Sequence, residues 1–218
     1  MMKTWPTVEH IADAAPLPAG YRYRQLSRAE IPRLVEFLRT HYPGIEVGNA
    51  SCHLREDFYT TRASLVGEED RDFFVVLFMC GEEIAGMHST ERDPDSEVLY
   101  GRIGAVAAAH RGAKLSHNFL SLMEALGGAM GAGIVYGLST LKYPQMQRAF
   151  EHAGWLLIGI MPGFDREKDS SGLVKRVYEA VYVKVLVPNE DMPPPSVDAM
   201  TPKVRALFEL LFPADRQR

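Results

Sequence analysis

The stretch that decides the fold is Gly101-Arg102-Ile103-Gly104-Ala105-Val106-Ala107-Ala108-Ala109-His110-Arg111-Gly112-Ala113-Lys114-Leu115-Ser116. A strand ends, a short turn follows, and Arg111-Gly112 opens a long helix. The first backbone N–H groups of a helix have no internal partners and sit at the positive end of its dipole, so they form a ready site for a pyrophosphate. Arg111 and Lys114 add cationic side chains there. Gly101 and Gly104 weaken a strand unless a bulge or a close backbone approach needs them.

Working outward, Tyr21–Leu26 alternates and reads as a strand. Ser27 and Glu30 form a capping box for a helix to about Thr40, with Ile31, Leu34, Val35 and Leu38 at helical spacing. A short helix is expected around 54–64. The run 72–80 is aromatic and β-branched, and 84–91 follows a Gly81-Glu82-Glu83 turn, so the two make a hairpin. With 97–107 they form a three-strand meander. A helix over 113–130 carries Leu115, Phe119, Leu122, Met123, Leu126 and Met130 on one face. Then come a strand at 134–140, a helix at 144–152, and strands at 155–160 and 174–187 joined by a polar loop at 164–172. Residues 1–20 read as a lead-in that stays out of the core. Pro193-Pro194-Pro195 separates a short amphipathic helix at 201–212.

The 218 residues, 46% apolar, suit one domain with extensions. A net charge of −4 with mixed signs gives no general attraction to nucleic acid. No segment is long and apolar enough for a membrane span, and the start lacks a secretory signal. Cys52 and Cys80 lack Cys-x-x-Cys spacing and are expected as reduced thiols, which points to the cytoplasm. The histidines do not fall at metal spacings, so no metal is expected. No Gly-x-Ser-x-Gly elbow is present, which argues against a covalent acyl-enzyme.

The decisive stretch resembles the acyl-CoA-binding core of the GNAT superfamily of N-acetyltransferases, whose pattern is (Arg/Gln)-x-x-Gly-x-(Gly/Ala) after a strand ending in Val. Val106 matches the strand valine, and Arg111-Gly112 matches the common Arg-Gly pair. Lys114 and Ser116 stand where the pattern has glycines; a side chain at either narrows the backbone approach to phosphate, although ordinary helical backbone angles would tolerate both residues. Ala149-Phe150-Glu151-His152-Ala153-Gly154-Trp155 resembles a second family segment, Ala/Leu-Tyr-Glu-Lys-Leu-Gly-Phe. The resemblance covers about 21–187.

It implies a mixed, twisted α/β (α+β) sheet flanked by helices, split between strands 97–107 and 134–140. The implied domains are an extension over 1–20, the acyltransferase domain over 21–187, and a linker with an amphipathic helix over 188–218. The co-substrate would be acetyl-CoA or another acyl-CoA, held by Ala105, Val106, Ala107, Arg111, Gly112, Ala113, Lys114, Leu115, Ser116 and Phe150. The acceptor would be an amine of a small molecule or peptide. Transfer in this family is direct, with positioned proton transfer worth about 10²–10⁴ in rate. The family's base, a Glu, falls here on Tyr100, and its Tyr acid falls on Phe150, which has no proton to give. Tyr100, Glu97, His88, Glu91 and Tyr143 are the substitute candidates. Two other readings stay open: a longer acyl chain in a pocket lined by Met79, Met87 and Phe78, or a CoA-binding module without chemistry. The tail helix is expected to dock on the domain or on a second subunit, as in a homodimer.

Overall fold

A computed structural model of the chain describes residues 2–169 and 171–213. The elements run α1 (Val8–Ala14), β1 (Tyr21–Gln25), α2 (Ile31–His41), α3 (Glu56–Arg62), β2 (Ala63–Ser64), β3 (Phe73–Cys80), β4 (Glu83–Asp93), β5 (Val98–Val106), α4 (Leu115–Met130), β6 (Ile134–Thr140), α5 (Gln145–His152), β7 (Leu156–Lys168), β8 (Val174–Val185) and α6 (Pro202–Leu211). Seven strands form one sheet in the order β1-β3-β4-β5-β6-β8-β7, with β2 added against β3. None of the described helices is long and apolar enough to cross a membrane.

Each face of the sheet buries its own core. Helices α4 and α5 cover one, where Phe119, Leu122, Met123, Leu126 and Phe150 meet Phe74, Phe78 and Leu99. Helices α2 and α3 cover the other, where Leu34, Leu38, Phe58 and Tyr59 meet Val75, Leu77 and Met87. Alternation along the strands sends successive side chains to opposite faces, and the helical stripe at 31, 34, 35 and 38 fits one of them.

The lead-in is a correction. Residues 2–20 contain α1, capped by Thr7, and Ile11 is buried in the core beside Tyr23. The indole of Trp5 stacks on Phe74 at 5.0 Å. Proline and alanine around 14–20 obscured a seven-residue helix whose one large core side chain is Ile11. The polar loop after β7 is also shorter than expected. The β7–β8 ladder continues to Lys168 opposite Val174, because the polar residues 165–168 lie on an edge strand that water can reach.

Gly101 and Gly104 are needed for packing. A β-carbon at Gly101 would lie 2.6 Å from the Met123 sulfur, and one at Gly104 would lie 2.5 Å from the Phe119 ring. Helix α4 therefore rests directly on the β5 backbone. Between them the ladder to β4 slips by one residue at Arg102, since Ser89 faces Ile103 and Thr90 faces Gly101. That bulge re-aims the end of β5.

Candidate functional site

Strands β5 and β6 pair in parallel from Val98–Ile134 to Gly101–Gly137, and the ladder stops there. Beyond it, residues 102–106 and 138–140 diverge. A cleft of about 550 Å³ opens between them. Its apolar walls include Phe119, Leu120 and Met123 of α4 and Met146 and Phe150 of α5. Its polar lining comes from Tyr42, His88, Arg102, Ser139, Thr140 and Gln145, with Arg111 and Ser116 at the helix start. The tip of the Phe150 ring comes against the strand because Gly137 has no side chain: a β-carbon there would sit 2.8 Å from the ring.

The open edge of β5 has a definite direction. The Ala107 N–H donates to the Ala85 carbonyl of β4 at 2.9 Å. The Val106 N–H consequently points the other way, and it donates to the Tyr42 hydroxyl at 3.0 Å. Tyr42 follows the last residue of α2, and its N–H bonds to the Leu38 carbonyl. Pro43 stops the helix there and leaves the ring projecting over β5.

The helix start differs from the expected one. Arg111 and Gly112 lie in a 3₁₀ turn, Ala108–Ala113, and α4 begins only at Leu115. Lys114 between them has φ 60° and ψ 21°, the left-handed region. Lys114 therefore does not adopt the ordinary helical angles that would tolerate its side chain. The family pattern has glycine at this position, and only glycine adopts such a conformation without strain of about 1–2 kcal/mol. The first-turn N–H groups of α4 thus begin at Leu115 and Ser116, next to the exposed Arg111. Leu115 is itself core, as is Ala105, so these two can offer only backbone to a ligand.

The candidate acid–base residues are scattered. His88 reaches the cleft on the α4 face. Its Nδ1 lies 3.2 Å from the Thr90 hydroxyl, and its ring is 5.3 Å from Phe119. Burial pushes its pKa down to about 3, so it is neutral at pH 7. Tyr100 faces the opposite side, stacked on Tyr136 at 4.6 Å and accepting from the Asn49 amide at 3.0 Å. Burial pushes its pKa up to about 12 although Arg102 opposes it, so the phenol keeps its proton. A base at Tyr100 needed the reverse shift. Glu91 is held by Arg102 at 3.3 Å, outside the cleft. Glu97 sits in the turn before β5, at the end away from the split, with its carbonyl bonded to the Gly133 N–H. Tyr143 is exposed and lines a second, smaller pocket of about 320 Å³ with Lys142, Asp165, Arg166 and Glu167. Tyr42 lines both pockets and stands between them. Met79, Met87 and Phe78, expected around a deep acyl pocket, are fully buried core and do not line the cleft.

Three residues escaped the sequence reading. Tyr42 and Ser139 reach the cleft from positions that carry no local signal. Glu179 of β8 is buried opposite Thr140, and burial, then the charges of Asp165 and Glu167, push its pKa up to about 7.

No family model and no curated protein matches the sequence. Solved structures match in shape. The ribosomal-protein-S5-alanine acetyltransferase of Vibrio fischeri aligns with a TM-score of 0.61 at 9% identity, over 81% of this chain and 97% of that one. An acetyltransferase of the GNAT family from Streptococcus pneumoniae aligns at 0.58 and 12%, over 77% and 99%. NAA60 of Arabidopsis thaliana, solved in complex with acetyl-CoA, aligns at 0.56 and 13%, over 76% and 98%. With its meander, its split between β5 and β6 and the helix that follows the split, this chain has the fold of the GNAT acetyltransferases.

Proposed function

We propose that the chain is an acyl-CoA-dependent N-acyltransferase that moves an acetyl group from acetyl-CoA to the amine of a small molecule or peptide. The observation that carries this reading is continuity. An unpaired strand edge over 102–106 runs within one cleft to Arg111, Ser116 and a helix start. A pantetheine arm has amides that can pair with such an edge, and a pyrophosphate fits such a helix start. The thioester end would then lie near the end of the β5–β6 ladder. The acceptor would approach past Tyr42 from the smaller pocket, where Asp165 offers an ammonium group a carboxylate, Glu167 being already paired with Lys142 at 3.0 Å.

None of the described residues lining the larger cleft is a carboxylate. An alkylamine with a pKa of about 10.4 must still lose a proton before attack. We assign that step to water reached from the cleft, with neutral His88 as a hydrogen-bonding relay. A histidine held near 3 is too weak to take the proton outright. Longer acyl chains would need space among Phe119, Met123, Met146 and Phe150. The test is acetyl-CoA binding by calorimetry, followed by release of free thiol from acetyl-CoA with a panel of amines. Binding with amine-dependent thiol release supports the reading. Binding without release against any amine would leave a CoA-binding module, and no binding removes the proposal.

A further inference from the structure

Among the described residues, two buried polar atoms of cleft-lining side chains have no hydrogen-bond partner: Arg102 Nε and Ser139 Oγ. The Arg102 head is already engaged, with Glu91 at 3.3 Å and the Asn49 carbonyl at 3.3 Å. Ser139 is different. It is 3% exposed, and its only functional group is the orphan. An unpartnered buried hydroxyl works against folding, so its presence calls for a use.

Its position supplies one. Ser139 lies two residues past Gly137, where β6 has parted from β5, so it stands about 7 Å along the strand from the last paired residue. Side chains alternate along a strand, so Ser139 shares its face with Gly137, the face that Phe150 covers. Phe150 has no proton to donate. Other cleft hydroxyls are engaged or distant. Tyr42 is bonded to Val106, the Thr140 Oγ1 accepts from the Lys142 N–H at 3.2 Å, and Ser116 is at the helix start.

We propose that Ser139 is a catalytic residue whose hydroxyl donates a hydrogen bond to the sulfur of the acyl-CoA as it leaves. This rests on the acyl-CoA reading above. The amine nitrogen attacks the thioester carbon and a C–N bond forms. The C–S bond breaks and its electron pair goes to sulfur. The extra proton on nitrogen passes to water, and the thiolate takes a proton from water. Ser139 keeps its own proton throughout. Its contribution is to hold developing negative charge against the apolar walls of the cleft, where a charge-assisted hydrogen bond is strong.

The test uses the full chain with Ser139→Ala and Ser139→Thr. Ser139→Ala should lower kcat about ten- to hundred-fold, with KM for acetyl-CoA changed less than about two-fold. The thiol of bound CoA, followed by its ultraviolet thiolate absorbance, should ionise at lower pH in the wild type than in Ser139→Ala. Ser139→Thr keeps the hydroxyl and should retain most of the rate. The melting temperature of free Ser139→Ala should equal or exceed that of the wild type, because an unpartnered hydroxyl has no bond to lose. The assignment is overturned if Ser139→Ala keeps near-full kcat, if Thr is as slow as Ala, if thiol ionisation is unchanged, or if the alanine variant unfolds. Wild type that neither binds nor consumes acetyl-CoA would overturn the acyl-CoA reading and this assignment with it, and that is seen before any variant is made.

Discussion

The Tyr42 hydroxyl and the backbone of Val106 are bonded in both directions: the Val106 N–H donates to the hydroxyl at 3.0 Å, and the hydroxyl lies 3.4 Å from the Val106 carbonyl. The open edge of β5 is therefore already satisfied at the residue where the family resemblance expects a pantetheine arm. A ligand that pairs with Val106 must displace that hydroxyl. Tyr42→Phe should consequently bind acetyl-CoA more tightly, by up to about ten-fold, since one net hydrogen bond is worth about 0.5–1.5 kcal/mol. Calorimetry of the variant beside the wild type checks this. Weaker binding would mean that the hydroxyl itself contacts the ligand.

Arg111 is exposed at the helix start and reaches the cleft. Arg111→Glu should weaken acetyl-CoA binding more than ten-fold, by putting a negative charge where phosphates lie. The melting temperature should hardly change, as the side chain is exposed and makes no hydrogen bond or ion pair among the described residues. Raising the salt concentration should weaken binding to the wild type more than to the variant, because screening removes an attraction in one and a repulsion in the other. Unchanged affinity would remove the anion site from 111–116.

Three buried groups give stability a defined pH dependence. His53 and His88 are both pushed down to about 3 by burial. Between pH 6.5 and 4.5 the unfolded chain protonates them and the native chain does not, so acid destabilises the fold. Glu179 works the other way. Raised to about 7, it holds a proton in the native state over a range where the unfolded carboxyl has lost its own. Its replacement removes that opposing effect. Melting temperature should fall more steeply with acid in Glu179→Gln than in the wild type, and less steeply in His88→Gln. Thermal scans between pH 6.5 and 5 decide it, and parallel curves would contradict the assignments of Glu179 and His88.

Helix α6 leaves Val204, Leu207 and Leu210 largely exposed, and Phe208 and Leu211 half-buried. The described residues thus cover the apolar stripe only in part. Edge strand β7 exposes Leu157, Ile160 and Phe164. We expect a second copy to cover these residues, as the homodimer anticipated from the amphipathic pattern. Sedimentation should give a mass near twice the 24.4 kDa of one chain. Ile160→Glu with Leu207→Glu should return it to a monomer. A wild-type monomer at high concentration would end the expectation.

The sequence by itself determined the order of the elements from β1 onward apart from the short β2, while α1 was missed and the place of the split came from the family resemblance. The alternation at 21–26, the aromatic and β-branched run at 73–80 with the turn after it, a helical stripe at 115, 119, 122, 123 and 126, and a capping serine at 27 are local patterns. Each depends on residues a few positions apart, so each can be read without coordinates. The helix start after Val106 was legible for the same reason, although the left-handed Lys114 and the delayed start of α4 were not. Those depend on how α4 must rest on Gly101 and Gly104. Only the tertiary structure decided which side chains share the cleft. Tyr42, His88, Arg111 and Ser139 come from four separate elements or turns. Counting along one strand placed Tyr100 at the family's base position, yet the alternation of β5 about its bulge turns it to the face away from His88. The orphan hydroxyl of Ser139 is legible least of all, because lacking a partner is a property of everything packed around an atom, and a sequence lists only its neighbours along the chain.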